Sequence, residues 1–523
     1  MSATWVPVCA LDDILPDSGV AALVADDEVA IFRVGDAVYA IGNYDPASGV
    51  NVLSRGIVGD LGGEVVVASP LYKQHYSLLT GRCLEDEALS VPAYLARVAE
   101  GRVWVRAEPV PRRRVSGKRR LVVIGNGMAA MRTLEELLEL APQAYEITVF
   151  GSEPHGGYNR VLLSPLLAGD KQLDEVVTHP PDWFSQRSIT MHCGDPIVSI
   201  DRRRRTVRSS AGIEAGYDRL LIATGSKPVT LPVPGKDLPG VIAFRDLGDV
   251  DAMLAMARTH RRAVVIGGGL LGLEAANGLK ARGMDVTVVH LFPHLMERQL
   301  DAHAAGLLRA ELETRGLKFL LGVNTAALLG TTQVTGVRFA DGSEVAADLV
   351  VMAVGVRPNI DIAKAAGLPC ERGVLVDDTL QTNDPAIYAV GECVQHRGKT
   401  FGLVAPLYEQ ARVCATYLAE RAVPGYREGT VATQLKVTGI ELFSAGNYAS
   451  PGGESLVLKD PQRGIYKRLV IEHNKVRGAV LYGDTRDGRW YLDLIEKGSD
   501  IQAMRDDLLF GETAVAGSAQ AAG

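Results

Sequence analysis

The sequence predicts three parts in order: a small all-β module, an α/β core of parallel-sheet units, and an α+β segment. Three observations carry this prediction. From Leu121 to about Arg421, apolar strand patterns alternate with helical ones, as βαβ units require. A glycine-rich turn between an apolar strand and a helix start occurs twice in that stretch. Before and after it the texture is short strands between Gly and Asp turns. A chain of 523 residues is also too long for one ordinary domain, and three or four are expected.

The elements follow in chain order. AIFRV (30–34), AVYAI (37–41), EVVVAS (64–69) and RVWVR (102–106) read as strands with no long amphipathic helix among them, so residues 1–107 form the β module. Residues 108–120 carry two prolines, a Ser-Gly pair and six Lys/Arg, which is a linker composition. Residues 121–247 and 367–422 are assigned to one α/β domain, with a second one, 248–366, inserted into it. Val423-Pro424-Gly425 marks a break. In 425–511, QLKVTGIELFSAG (434–446), YKRLVIEHN (466–474) and RGAVLYGD (477–484) read as strands, and Trp490–Leu509 as a helix. The small polar tail, 512–523, is expected to be disordered.

The two glycine turns carry the chemistry. LVVIGNGMAA (121–130) gives Gly125-x-Gly127-x-x-Ala130 after a strand, with Met128 and Ala129 opening a helix. Such glycines permit a tight turn and close approach of backbone to a pyrophosphate, whose charge then meets the helix N-terminus. The next strand, ITVF (147–150), leads to Glu153, a candidate acceptor for ribose hydroxyls. AVVIGGGLLGLEAA (263–276) repeats the pattern with Gly267, Gly269 and Gly272, then Leu270, Leu271 and Glu274 in the helix. Its second strand ends in His290, where an NAD-selective site has an acidic residue. A neutral imidazole cannot accept from both ribose hydroxyls, so NADH against NADPH stays open, with Arg298 a candidate for a 2′-phosphate. Two turns imply two dinucleotides, one held and one exchanging, which describes a flavin, FAD, with NAD(P)H.

Composition narrows the partners. A net charge of −7 and 6% aromatics argue against a nucleic acid. No apolar stretch approaches a membrane span, and 1–16 lacks a basic region followed by an apolar core, so a cytoplasmic protein is expected. The cysteines, Cys9, Cys83, Cys193, Cys370, Cys393 and Cys414, form no C-x-x-C pair. A local metal cluster or redox dithiol is therefore not expected.

Further segments resemble a known class. YDRLLIATGSKP (217–228), with Ala223, Thr224 and Gly225, resembles the crossing between the two nucleotide domains of two-dinucleotide-domain flavoproteins, and VMAVGVRPN (351–359), with Gly355, resembles the return. TNDPAIYAVGE (382–392), with Gly391, resembles their second flavin motif, in which Glu392 replaces the commoner Asp as acceptor from the ribityl chain. More narrowly, GNGMAAMRTLEELL, TVFGSEPHGGYNRVLLSPLLAG, VIGGGLLGLEAANGLKARG and LKVTGIELFSAG resemble the NAD(P)H–FAD portion of the assimilatory nitrite reductase large subunit, from about Leu121 to Gly511. That resemblance implies that Asn159, Arg160 and Ser164 lie beside the flavin and that Phe401–Pro406 pack near its ring. It makes the C-terminal segment a candidate oligomer interface.

The N-terminal module resembles the small subunit of the same enzyme, a Rieske-type β fold. A Rieske centre needs two thiolates and two imidazoles. Aligning NYDPAS and ASPLYKQHYSL puts Asp45, Ala47, Ser69 and Tyr72 at the four ligand positions, so no cluster is expected and His75 reads as a lone structural histidine. The chain also shows none of the cysteine-rich segments that follow in the large subunit. The resemblance implies an NAD(P)H-dependent FAD oxidoreductase passing electrons to a separate subunit. A molybdenum and iron–sulfur nitrate reductase is the first choice of acceptor, and a sirohaem nitrite reductase the second. A ferredoxin or rubredoxin reductase, or a non-catalytic flavin sensor or scaffold, are the rival readings.

Overall fold

The computed structural model describes residues 5–35, 37–61, 64–86, 89–109, 118–421, 425–429, 432–437, 439–448 and 452–521. The chain divides into two units, Met1–Gly117 and Lys118–Gly523. Most of the expected linker, 110–117, and the expected break at 423–424 lie outside the described residues.

In the first unit the described residues form an antiparallel sheet of six strands in the order Trp5–Ala10, Arg102–Pro109, Ala93–Ala99, Ala37–Gly42, Asp27–Val34, Ser18–Val24. The strand Asp27–Val34 shows why: Ala30 and Phe32 point into one apolar cluster, Val29 and Ile31 into another. Alternate residues leave a strand on opposite faces, so both faces of this sheet are buried. A second sheet, Ile57–Leu61, Glu64–Ala68 and His75–Ser77, supplies Val67 and Tyr76 to the first cluster.

The second unit is built on two five-stranded parallel sheets that share the order of four strands and differ in whether the fifth comes last or first in the chain. One runs Thr190–His192, Tyr145–Phe150, Arg119–Ile124, Arg219–Ile222, Ile387–Ala389. The other runs Lys318–Leu321, Asp285–His290, Arg262–Ile266, Leu349–Met352, Val241–Ala243. Each apolar strand feeding a glycine turn is central, and the chain winds outward from it before returning on its other side. That reversal creates a crevice beyond the strand ends, the place where open α/β sheets take ligands. The first sheet is completed only by Ile387–Ala389, after the whole second sheet, so one domain is inserted in the other. The crossings pair with each other antiparallel, Ser226–Pro228 against Val356–Pro358.

The insertion differs in extent from the expected 248–366. Val241–Ala243 already pairs in the second sheet, and Ala363 is already buried in the core of the first. Sheet membership sets the boundary, and strand pattern alone does not disclose which sheet a short strand joins.

The C-terminal strands form an antiparallel sheet in the order Ala432–Val437, Ile440–Gly446, Lys475–Tyr482, Ile465–Glu472, Glu454–Asp460. Leu442, Tyr466, Val480 and Tyr482 face the inserted domain and share its core, while Phe443, Leu469 and Leu481 pack against the helix Gly488–Lys497. The central strands are thus packed on both faces within the chain. The helix expected over 490–509 ends at Lys497, where Gly498 adopts a left-handed φ of 57°. The chain then folds back, and Tyr491 donates its hydroxyl hydrogen to Leu508 O at 2.8 Å. The tail is also corrected: Glu512–Ala521 is a helix, consistent with its alanine-rich sequence. None of the described helices is long and apolar enough to cross a membrane.

Candidate functional site

Both glycine turns sit at the reversal point of their sheet and are built alike. Gly125 has φ +105° and Gly267 φ +124°, the left-handed region that glycine enters without steric cost. A side chain on Gly125 would lie 2.3 Å from Ala223 O, and one on Gly267 2.2 Å from Ala353 O. Those carbonyls end the neighbouring strand across the reversal, so each turn is pressed against the returning chain. Gly272 is equally constrained, since a Cβ there would lie 1.9 Å from Gly267 O. In the first turn Ala130, fully buried, stands at that position.

The second glycine of each turn behaves differently. Nothing lies within 4 Å of a Cβ built on Gly127 or Gly269. Each is the N-cap of its helix, Met128–Leu140 and Leu270–Ala281, and neither helix has a side-chain cap or an acid in its first turn. Met128, Ala129, Leu270 and Leu271 thus open helices whose first N–H groups and dipole face open space. An anion is the natural occupant of such a position.

Around the first turn the structure gathers the other expected residues. A Cβ on Gly391 would meet that of Ala129 at 3.0 Å, which seats the 382–392 motif against the first helix start. Gly391 N donates to Gln410 Oε1 at 2.8 Å. Thr224 Oγ1 donates to Asn359 O at 2.6 Å and Asn359 N to Gly225 O at 2.9 Å, which ties the two crossings together, and Gly355 O accepts from Val229 N at 2.9 Å. Glu392 accepts from Ser226 Oγ at 2.8 Å and pairs with Arg245. Glu153 accepts from Tyr158 at 2.6 Å and pairs with Arg160, which in turn donates to Arg245 O at 2.8 Å. Asn159 spends its side chain on Val161 N at 3.0 Å, capping the short turn that aims Arg160. Phe401 is buried against the Tyr426 ring, and the helix Val404–Leu418 also starts without a side-chain cap.

Arg245 and Gln410 were not singled out by the sequence. No local motif marks them, because each gains its role from residues far along the chain.

Two residues meet across the domains. Ser164, on Leu163–Ala168, donates to Glu274 Oε2 at 2.7 Å, on the helix after the second glycine turn. The helices touch closely: a Cβ on Gly278 would lie 2.7 Å from Leu167. Burial pushes the Glu274 carboxyl up to about 7, and the Ser164 hydroxyl pulls the other way. Near neutral pH this group is able to hold or release a proton.

His290 departs from expectation. Its ring is buried, Nδ1 accepting from Gly268 N at 3.0 Å and Nε2 lying 3.1 Å from Glu297 Oε2. Both nitrogens are engaged within the chain, so the ring braces the turn. Arg298 extends into solvent with its side chain 85% exposed.

In the N-terminal unit Asp45 and Ser69 lie in direct contact. The buried Asp45 carboxylate accepts from Ser69 Oγ at 2.6 Å, Tyr76 at 2.7 Å, Ser48 Oγ at 2.9 Å and Ala47 N at 3.0 Å. Burial alone would raise its pKa, yet these bonds outweigh it and hold the carboxyl below its ordinary value. Tyr72 points outward, 65% exposed. His75 is held in place by Glu85, its Nδ1 lying 2.5 Å from Oε1. Among the described residues no group of His, Cys, Asp or Glu is placed to hold a metal ion. All six cysteines are free, and burial pushes the Cys393 thiol up to about 11, which leaves it unreactive.

Comparison with known families agrees with this geometry. Residues 119–415 match the model of the pyridine nucleotide-disulphide oxidoreductases. The chain belongs to that family. Its cofactors are FAD and NAD(P)H, and uncapped helix starts behind two open glycine turns fit two pyrophosphates. Residues 4–106 match the Rieske-like [2Fe-2S] domain and 432–499 the rubredoxin NAD+ reductase C-terminal domain. The chain is 48% identical over 386 residues to a nitrite reductase [NAD(P)H] of Bacillus subtilis, covering 74% of this chain and 48% of that one. It is 44% identical over 397 residues to the assimilatory nitrate reductase electron transfer subunit of the same organism, covering 76% of this chain and 52% of that one. It thus spans about half the length of these two curated relatives. Among solved structures, the ferredoxin reductase for the CYP199A2 system from Rhodopseudomonas palustris superposes with a TM-score of 0.66 at 28% identity, over 73% of this chain and 98% of that one.

Proposed function

We propose that this chain is an NAD(P)H-oxidising electron-transfer subunit that supplies an assimilatory nitrate reductase. The observation that carries the reading is the duplication of one anion-ready turn at equivalent points of two sheets. In the family these sites serve FAD and NAD(P)H. FAD held there would supply the chemistry that links a hydride donor, NAD(P)H, to a one-electron metal-containing acceptor.

The residues divide between the two nucleotides. Gly125, Gly127, Met128, Ala129, Glu153, Asn159, Arg160, Ala223, Thr224, Gly225, Gly391 and Glu392 would hold FAD. Glu153 and Glu392, paired with Arg160 and Arg245, would accept from the hydroxyls of a flavin nucleotide. Gly267, Gly269, Leu270, Leu271, Gly272 and Gly355 would hold NAD(P)H. Ser164 and Glu274 span the two sites. Their work is to orient the rings, exclude water and keep a proton at Glu274.

Nitrate reductase is the first acceptor because the 44% identical relative bears that role in its name. A nitrite reductase is the second reading, favoured by the 48% identical relative. We place the activity in the cytoplasm, where thiols stay reduced. Gly269→Asp tests the site: open space admits the side chain, while its charge opposes a pyrophosphate. FAD should remain bound, and bleaching by NADH and NADPH should be lost. Wild-type bleaching would refute the assignment. Affinity capture from nitrate-grown cells with metal analysis tests the acceptor: molybdenum with iron supports the nitrate enzyme, and sirohaem without molybdenum moves the assignment to nitrite.

A further inference from the structure

The segment after the second strand of the inserted domain is folded tightly onto the glycine turn. Met296 is fully buried and holds a φ of +52°, a conformation that costs any residue other than glycine. Its N–H donates to Gly268 O at 3.0 Å, and Leu295 closes over the same glycine, where a Cβ would lie 2.8 Å from its Cδ2. His290 binds the turn from the other side through Nδ1. This strained fold presents the next residue, Glu297, at the end of the strand. Its carboxylate lies 3.1 Å from His290 Nε2, and its own carbonyl accepts from Tyr448 of the C-terminal domain at 3.0 Å. Backbone and side chain are therefore both fixed.

In dinucleotide sites of this topology an acidic side chain at that strand end accepts from the adenosine ribose. Here the strand end holds an imidazole with both nitrogens occupied. The negative charge reappears one ring further out, on Glu297, whose side chain keeps 23% exposure. Arg298 pairs with it only loosely, its Nε 3.9 Å away on a side chain 85% exposed, and such solvent-screened pairs contribute little. Recognition of a 2′-phosphate calls for a pinned guanidinium fork, and this arginine is not pinned.

We propose that Glu297 is the residue that selects NADH over NADPH, its carboxylate accepting from the ribose hydroxyls and repelling a 2′-phosphate. The inference rests on the reading of the second glycine turn as the NAD(P)H site.

The test is calorimetric titration of the full-length FAD-loaded protein with NAD+ and with NADP+, which needs no turnover. The wild type should bind NAD+ about tenfold or more tightly than NADP+, because like charge held at a recognition site excludes the wrong partner. In Glu297→Gln, which keeps the shape and removes the charge, that ratio should fall by about tenfold. Equal or tighter binding of NADP+ by the wild type overturns the inference, whether or not the variant folds. An unchanged ratio in a variant with wild-type melting temperature also overturns it. Failure of the wild type to bind either nucleotide removes the site itself, and the inference with it.

Discussion

Glu274 should carry its proton to an unusually high pH. Among the described residues its one hydrogen bond comes from Ser164 Oγ, at 2.7 Å, and burial lifts its carboxyl from 4.5 to about 7. At about 1.4 kcal/mol per pH unit, that rise sets about 3 kcal/mol against the charged form. Part of the side chain still meets water, so the figure is a ceiling. The sign follows from linkage. A group whose folded pKa is raised contributes stability that is complete below its unfolded pKa and lost as pH climbs through the folded value. The wild type should therefore lose stability between about pH 4.5 and pH 7 through this residue, and Glu274→Gln should not. The assay is the infrared difference between wild type and Glu274→Gln, recorded against pH without NAD(P)H. A protonated carboxyl band should be present at pH 6 and vanish with a midpoint near 7. Ser164→Ala should move that midpoint upward, since the hydroxyl supports the charged form. Absence of the band at pH 6, or a midpoint near the ordinary carboxylate value, would refute the reasoning.

Three further predictions concern the other parts of the chain. Asp45→Ala leaves buried hydroxyls of Ser69 and Tyr76 without their acceptor and should destabilise the N-terminal unit by about 2–4 kcal/mol, read from limited proteolysis against denaturant. Because its carboxyl is held low, the stability that Asp45 gives should persist above the ordinary carboxylate range and fade only as pH falls below it. Lys467, almost fully buried, lies 3.2 Å from Asp484 and 3.1 Å from Asp487. Lys467→Met should cost about 3–5 kcal/mol by leaving those carboxylates without their buried cation, measured as a drop in the melting transition of the C-terminal domain.

What the sequence by itself determined was local. The strand, glycine turn and helix start at 121–130 and at 263–276 are written in consecutive residues, because a left-handed glycine and a period of apolar positions need no distant partner. Strands at 27–34, 37–42, 64–68, 102–109, 465–472 and 475–482 were legible for the same reason, whereas Trp5–Ala10, Ser18–Val24, Ala93–Ala99 and Glu454–Asp460 were not singled out. So was the insertion of one nucleotide domain in another, through the order of the crossing motifs. The helix over 490–509 was misread because Ile501 and Leu508 are buried by a chain reversal after Gly498, which mimics helical spacing.

The tertiary structure decided which residues face one another. Ser164 and Glu274 are 110 positions apart, Arg245 and Glu392 147, and their pairing exists only because one domain is folded into the other. His290 looked like a ribose contact because the strand end is where such contacts lie. Only the packing of 295–297 onto Gly268 shows that its ring is spent on the turn and that Glu297 stands beyond it. A charge's neighbours, and hence its pKa and its ligand, are set by contacts across the fold, and single-sequence patterns do not encode those distances.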